Sequence, residues 1–182
     1  MALTARTSIP NISEPPEGTW ELIDGQLREK PTMSVRHHDV CSLLGYYLMD
    51  QLDLAKFRVH INGSRLARTA QSYFIPDLAV IPVELLPPDI DNPRTMDYYE
   101  MPLPLVAEVW SPSTGGYDID AKLPEYRARK DREIWRIHAY DRSLIAWRRQ
   151  PDGTYDETHY HEGTVVPASL PGVAIELAAL FI

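Results

Sequence analysis

The chain has almost no cysteine, no long apolar run and no excess of positive charge, and each shortage removes a class of protein. Cys41 is the single cysteine among 182 residues, so no disulfide forms within the chain and a reducing cytoplasm is the expected setting. No stretch approaches the roughly 18 consecutive apolar residues of a membrane helix, so no membrane partner is expected. Residues 1–7 lack the apolar core of a signal peptide. Lysine and arginine number 18 against 26 aspartates and glutamates, a formal net charge of −8. That balance argues against indiscriminate binding to nucleic acid, which depends on neutralising phosphates, but leaves room for a local basic groove. There is no Gly-rich phosphate loop, and the serines of residues 111–114 lack the glycine-flanked elbow of hydrolases. Internal repeats and low-complexity tracts are also missing.

What is present reads as one globular domain. Apolar residues make up 44% and charged residues 24% of the chain, ordinary values for a protein with a buried core. Residues 1–18, rich in Pro, Ser, Thr and Asn, read as an extended arm, and residues 19–182 as a single domain. Asp24-Gly25 marks a turn between two short strand-like runs, so residues 20–29 form an expected β-hairpin. Ser34 is placed to cap a helix over residues 35–54, where Val40, Leu43, Leu44, Tyr47, Leu48 and Leu52 recur at three- and four-residue spacing. Strands are expected over residues 57–67, with a bend at Asn62-Gly63, and over 74–81. A long loop spans 82–101, of the kind that is usually functional. A strand over 105–110, a helix over 118–130, strands over 134–138, 144–149 and 155–161, and a strand or helix over 175–181 complete the order. The pattern is α/β (α+β), with a mixed central sheet flanked by helices.

Two acids stand inside apolar segments. Asp77 follows Pro76 at the head of Leu78-Ala79-Val80-Ile81, and Glu108 lies in the middle of Leu105-Val106-Ala107-Glu108-Val109-Trp110. An unpaired buried carboxylate costs several kcal/mol or takes up a proton, so each needs a partner. A strand-edge hydrogen bond serves Asp77, and a solvent face or an arginine serves Glu108. Lys122 follows Asp118 by four residues, which on a helix makes a surface pair worth a few tenths of a kcal/mol. Taken together, however, two strand-borne acids and a lysine are a sufficient set for phosphodiester hydrolysis. Hard cations such as Mg²⁺ or Mn²⁺ take carboxylate oxygens, lower the pKa of bound water and stabilise charge on a phosphoryl group. A nearby lysine orients the water or neutralises developing charge.

These segments carry a resemblance. Trp20-Glu21-Leu22-Ile23-Asp24-Gly25, the helix start Arg36-His37-His38-Asp39-Val40, Pro76-Asp77-Leu78-Ala79-Val80, Glu108-Val109-Trp110-Ser111-Pro112-Ser113-Thr114 and Asp118-Ile119-Asp120-Ala121-Lys122-Leu123-Pro124-Glu125-Tyr126 occur in order along nearly the whole chain. In combination they resemble the Uma-type endonuclease family, within the PD-(D/E)xK restriction-endonuclease-like superfamily. The resemblance implies a restriction-endonuclease-like fold and an endonuclease acting on nucleic acid, DNA first. It implies Asp77 and Glu108 as Mg²⁺ or Mn²⁺ ligands and Lys122 as the catalytic lysine, with Glu21 and His37 in support. A homodimer fits the cutting of two strands.

The chain departs from the pattern in two places. The lysine normally stands two residues after the second acid, where this chain has Trp110, so Lys122 must reach back from a helix. The Gly turn of relatives is also missing before Glu133-Ile134-Trp135. Two other readings stay open: a non-cleaving nucleic-acid- or protein-binding module on the same scaffold, and a structural dimer whose carboxylates are satisfied by arginines. Arg127, Arg129, Lys130, Arg132 and Arg136 form a basic cluster that serves either a helix end or phosphates. His159 and His161 share a strand face but have no third ligand in view.

Overall fold

The computed structural model describes residues 17–112, 116 and 121–182. The expected arm lies almost entirely outside these residues, and so does Asp118.

The strands fall into two main sheets. The central one has six strands in the order β11-β10-β9-β8-β6-β3: β3 (Phe57–Ile61), β6 (Leu78–Pro82), β8 (Leu105–Trp110), β9 (Glu133–His138), β10 (Ser143–Arg149) and β11 (Tyr155–Tyr160). The β8–β9 pair is parallel and the others antiparallel, so the sheet is mixed. The second sheet has five strands in the order β2-β1-β5-β4-β7: β1 (Trp20–Ile23), β2 (Gln26–Glu29), β4 (Arg65–Thr69), β5 (Ser72–Phe74) and β7 (Tyr98–Tyr99). The expected Asp24-Gly25 turn joins β1 to β2, with φ of 49° and 80°, as a two-residue turn of this kind requires.

Helix α1 (Val35–Gln51) opens where Ser34 accepts the His37 N–H at 3.3 Å, a capping bond of the expected kind. Its Val40, Cys41, Leu44 and Leu48 pack on Leu78, Val80, Leu105, Ala107 and Val109 of the central sheet. Each such fully buried leucine contributes about 1.5–3 kcal/mol. On the opposite face of that sheet, Ala79, Ile81 and Val106 pack with Leu66, Phe74 and Tyr126. Tyr126 belongs to helix α2 (Leu123–Ala128), headed by Lys122. The expected helix ran to Lys130, but Lys130 turns left-handed at φ 67°. The Asp131 and Lys130 N–H groups donate back to the Tyr126 and Arg127 carbonyls, closing the helix.

Two expected strands are broken, and the breaks position the site. Residues 57–67 divide at Asn62, φ 52°, into β3 of the central sheet and β4 of the second. Residues 74–81 divide at Ile75-Pro76-Asp77 into β5 of the second sheet and β6 of the central one. Pro76 has no N–H for a ladder, and the Asp77 carbonyl accepts the Asn62 N–H at 3.0 Å. The chain therefore crosses between sheets twice at the same place. The expected loop over 82–101 also contains a 3-10 turn (Val83–Leu85) and β7. The C-terminal segment is both strand and helix: β13 (Ile175–Glu176), paired with β12 (Thr164–Val165), and then a 3-10 turn (Leu177–Phe181).

Candidate active site where the chain crosses between sheets

Asp77 stands at this crossing, 1% exposed. Its Oδ1 accepts the Lys30 ammonium at 2.7 Å, and its Oδ2 accepts the Val109 N–H at 2.8 Å. His37, one turn into α1 and fully buried, brings Nε2 to within 2.8 Å of Oδ2. An ionised carboxylate only accepts, so Nε2 is the donor to Oδ2, and Nδ1 lies 3.6 Å from Cys41 Sγ. Burial raises the pKa of Asp77, but the Lys30 charge, the His37 bond and charge and the Lys122 charge outweigh it. The result is a carboxylate held far below its ordinary range.

Glu108, on the middle of β8, is 4% exposed, so the solvent-face reading fails. Two of its partners come from the head and first turn of α2. Tyr126 donates its hydroxyl to Oε1 at 2.6 Å, and Lys122 Nζ lies 3.2 Å from the same oxygen. The Lys-x-x-x-Tyr spacing thus puts both donors on one helical face. Lys122 also lies 3.1 Å from Glu21 Oε1, which accepts the Ile75 N–H at 2.9 Å. Glu21 is 1% exposed, so it is not a surface residue of the hairpin.

The structure thus brings Glu21, His37, Asp77, Glu108 and Lys122 into one buried cluster. The displaced lysine reaches its acids, and the position two residues after Glu108 is taken by Trp110, whose ring stacks on His138 at 4.1 Å. His38 is exposed and outside the cluster.

Sequence reasoning missed Lys30. This residue continues β2, and its ammonium bonds Asp77 Oδ1, Asn62 Oδ1 at 2.9 Å and the Ile75 carbonyl at 3.0 Å. The same carbonyl also accepts from Lys122 at 3.4 Å. One signal was available: three acids against one lysine is out of balance, and burial demands a second cation. Tyr126 was visible in the motif but had been given no role.

The donor set suits a hard cation. Glu21 and Glu108 meet on Lys122, Asp77 meets Lys30, and the two ammoniums share the Ile75 carbonyl, so carboxylate and carbonyl oxygens of the kind that Mg²⁺ and Mn²⁺ take line both sides of the crossing. His37, Cys41 and Asp77 also place ligand atoms within 4.8 Å of one another. However, Sγ is closer to Nδ1 than to Nε2, at 3.6 against 4.0 Å, so it lies alongside the ring rather than on the nitrogen that faces Asp77. Burial, helped by the Asp77 charge, also pushes the Cys41 thiol pKa far up, away from the thiolate a metal binds.

Of the basic cluster, Arg136 stands opposite Glu108 in the β8–β9 register and lines a pocket with Glu108 and Tyr126, whereas the others lie elsewhere. Arg129 is buried against Asp131 at 3.0 Å and donates to the Tyr99 and Met101 carbonyls. Arg127 lies over the Trp147 and Tyr155 rings. Lys130 and Arg132 line a groove beside Pro82, at the end of β6 away from Asp77. His159 is paired with Glu157 at 2.7 Å, and among the described residues no metal-type cluster includes it.

Two mixed sheets with acids and lysines at their crossing define a protein of restriction-endonuclease-like fold. The chain belongs to the Uma2 family, described as "Putative restriction endonuclease", whose model matches residues 7–179. Among solved structures it is similar to one described as a "putative nuclease belonging to DUF820" from Anabaena variabilis ATCC 29413, with a TM-score of 0.73, 15% identity and 89% of each chain covered. No curated protein matches it. Family and fold together place it among nuclease-type proteins. No helix among the described residues is long and apolar enough to cross a membrane.

Proposed function

We propose that this protein is a Mg²⁺- or Mn²⁺-dependent endonuclease that hydrolyses phosphodiester bonds of nucleic acid, DNA in the first instance. The observation that carries this reading is the convergence of Glu21, Asp77 and Glu108 on two buried lysines at one crossing of the chain. Asp77 and Glu108 hold the metal, and Glu21 assists. When bound, the metal supplies an activated water and neutralises charge on the phosphoryl group. Lys122 keeps an ammonium beside Glu108, where it orients the attacking water and offsets negative charge as the bond to phosphorus forms. Tyr126 fixes the Glu108 rotamer. His37 fixes Asp77. The protein acts as a cytoplasmic homodimer, two sites serving two strands, built on a single domain over residues 19–182.

One observation favours a second reading, a binding module that does not cleave: each acid already has an ammonium partner within 3.2 Å. Metal binding separates the two. Millimolar Mn²⁺ is expected to raise the melting temperature of the parent protein, and Asp77→Asn and Glu108→Gln are each expected to abolish the rise measured against their own metal-free values. A parent protein indifferent to Mn²⁺ contradicts the endonuclease reading.

A further inference from the structure

The acceptors around Lys30 are of three kinds: a carboxylate oxygen of Asp77 at 2.7 Å, an amide oxygen of Asn62 at 2.9 Å and the main-chain oxygen of Ile75 at 3.0 Å. These are the oxygen types from which hard-cation sites are assembled. An ammonium group, compact and singly charged, sits at their focus. Asn62 comes from the β3–β4 break and Ile75 and Asp77 from the β5–β6 break, so both crossings aim oxygens at one point.

Asp77 Oδ2 is already committed to His37 and the Val109 N–H, which leaves Oδ1 as the oxygen available to a cation. Among the described residues, its partner is Lys30. Lys122 is enclosed by Glu21, Glu108 and the Ile75 carbonyl. Lys30, with its side chain 6% exposed, stands just past the end of β2, beside the exposed Glu29. It is the cation with a way out.

We propose that Lys30 is a built-in competitor for the metal: Asp77 Oδ1, Asn62 Oδ1 and the Ile75 carbonyl form a divalent-cation site that the Lys30 ammonium fills in the metal-free protein, and a metal binds by displacing it outward. This rests on the reading of Asp77 as a metal ligand and extends it to Asn62 and Ile75. The apparent affinity for metal is then the intrinsic affinity reduced by the small fraction of molecules with Lys30 turned out. Removing the ammonium removes that penalty. Asn62 is a ligand in this scheme and not merely a hairpin residue.

Titration of Mn²⁺ followed by the electron paramagnetic resonance of the free ion tests it. Lys30→Gln and Lys30→Met, checked for folding by circular dichroism, are expected to bind Mn²⁺ at least about tenfold more tightly than the parent, a gain near 1.4 kcal/mol. Adding Asn62→Ala to Lys30→Gln is expected to cancel most of that gain. The unmutated protein gives a second readout that needs no variant. Lys30 acetylation, followed by mass spectrometry, is expected to be slow without metal and to accelerate when Mn²⁺ or Ca²⁺ is added, relative to the exposed Lys56. Equal or weaker binding by both Lys30 variants, or acetylation unchanged by metal, overturns the proposal. If the parent still binds Mn²⁺ in an Asp77-dependent way, that failure leaves the endonuclease reading standing. Absence of Mn²⁺ binding in the parent and in both variants overturns the two together.

Discussion

Replacing Lys122 by methionine keeps the length of the side chain and deletes its charge. In the folded protein that charge lies 3.1 Å from Glu21 and 3.2 Å from Glu108, with its own side chain 2% exposed. At an effective dielectric constant of about 20, one such contact is worth about 5 kcal/mol of gross attraction. Most of it offsets the cost of taking the charges out of water. What remains after the deletion is two carboxylates facing each other across an apolar gap, and breaking a buried pair in this way costs about 3–5 kcal/mol. Set against a typical domain stability of about 5–15 kcal/mol, the loss is large. Urea unfolding followed by tryptophan fluorescence measures it, with the deeply buried Trp135 as reporter. The cause is separable from lost packing. Glu108→Gln is expected to destabilise the parent, yet to recover about 1 kcal/mol or more when added to Lys122→Met, a coupling in the range expected of contacting charges. A loss below about 1 kcal/mol for Lys122→Met, or an equal effect of Glu108→Gln in both backgrounds, would refute the reasoning.

Three further outcomes follow from the same geometry. Lys130 adopts φ 67° at the end of α2, a conformation that costs a residue with a Cβ about 1–2 kcal/mol; Lys130→Gly is expected to raise the unfolding free energy by about 0.5–1 kcal/mol, and any loss of stability contradicts that account. Arg129→Met strands the buried Asp131 carboxylate and is expected to cost about 3–5 kcal/mol in the same urea assay. The carboxyl group of Asp77 is held below its ordinary range, so the unfolded chain binds the extra proton. Its stabilisation is complete above about pH 5 and drains away as pH falls further. The parent is expected to lose stability between pH 5 and pH 3 more steeply than Asp77→Asn does, with Asp97, also held low, sustaining part of the slope in both.

Where local chemistry decides the structure, the chain was legible. The Asp24-Gly25 turn, the Ser34 cap, the apolar face of α1 and the strand over 105–110 all declare themselves in neighbouring residues. The crossings do not. Residues 57–67 and 74–81 each read as one strand with a bend or a proline, and that Asn62 and Pro76 send the chain from one sheet to another is a tertiary matter. For the site, Asp77 and Glu108 were conspicuous because acids are costly among aliphatic neighbours. Lys30 was hidden because a lysine at a polar strand end looks solvated, and only the fold buries it. The basic cluster left two readings open in sequence, and for Arg129 the fold closes the phosphate one by burying it against Asp131.

The most direct test is cleavage. Purified protein incubated with supercoiled plasmid and millimolar Mg²⁺ or Mn²⁺ is expected to yield nicked and linear DNA. EDTA should abolish the products, and Asp77→Asn and Glu108→Gln should show none while retaining native circular dichroism. Plasmid left intact in either metal by a folded parent protein, or nicking that persists undiminished in both variants, would contradict the account.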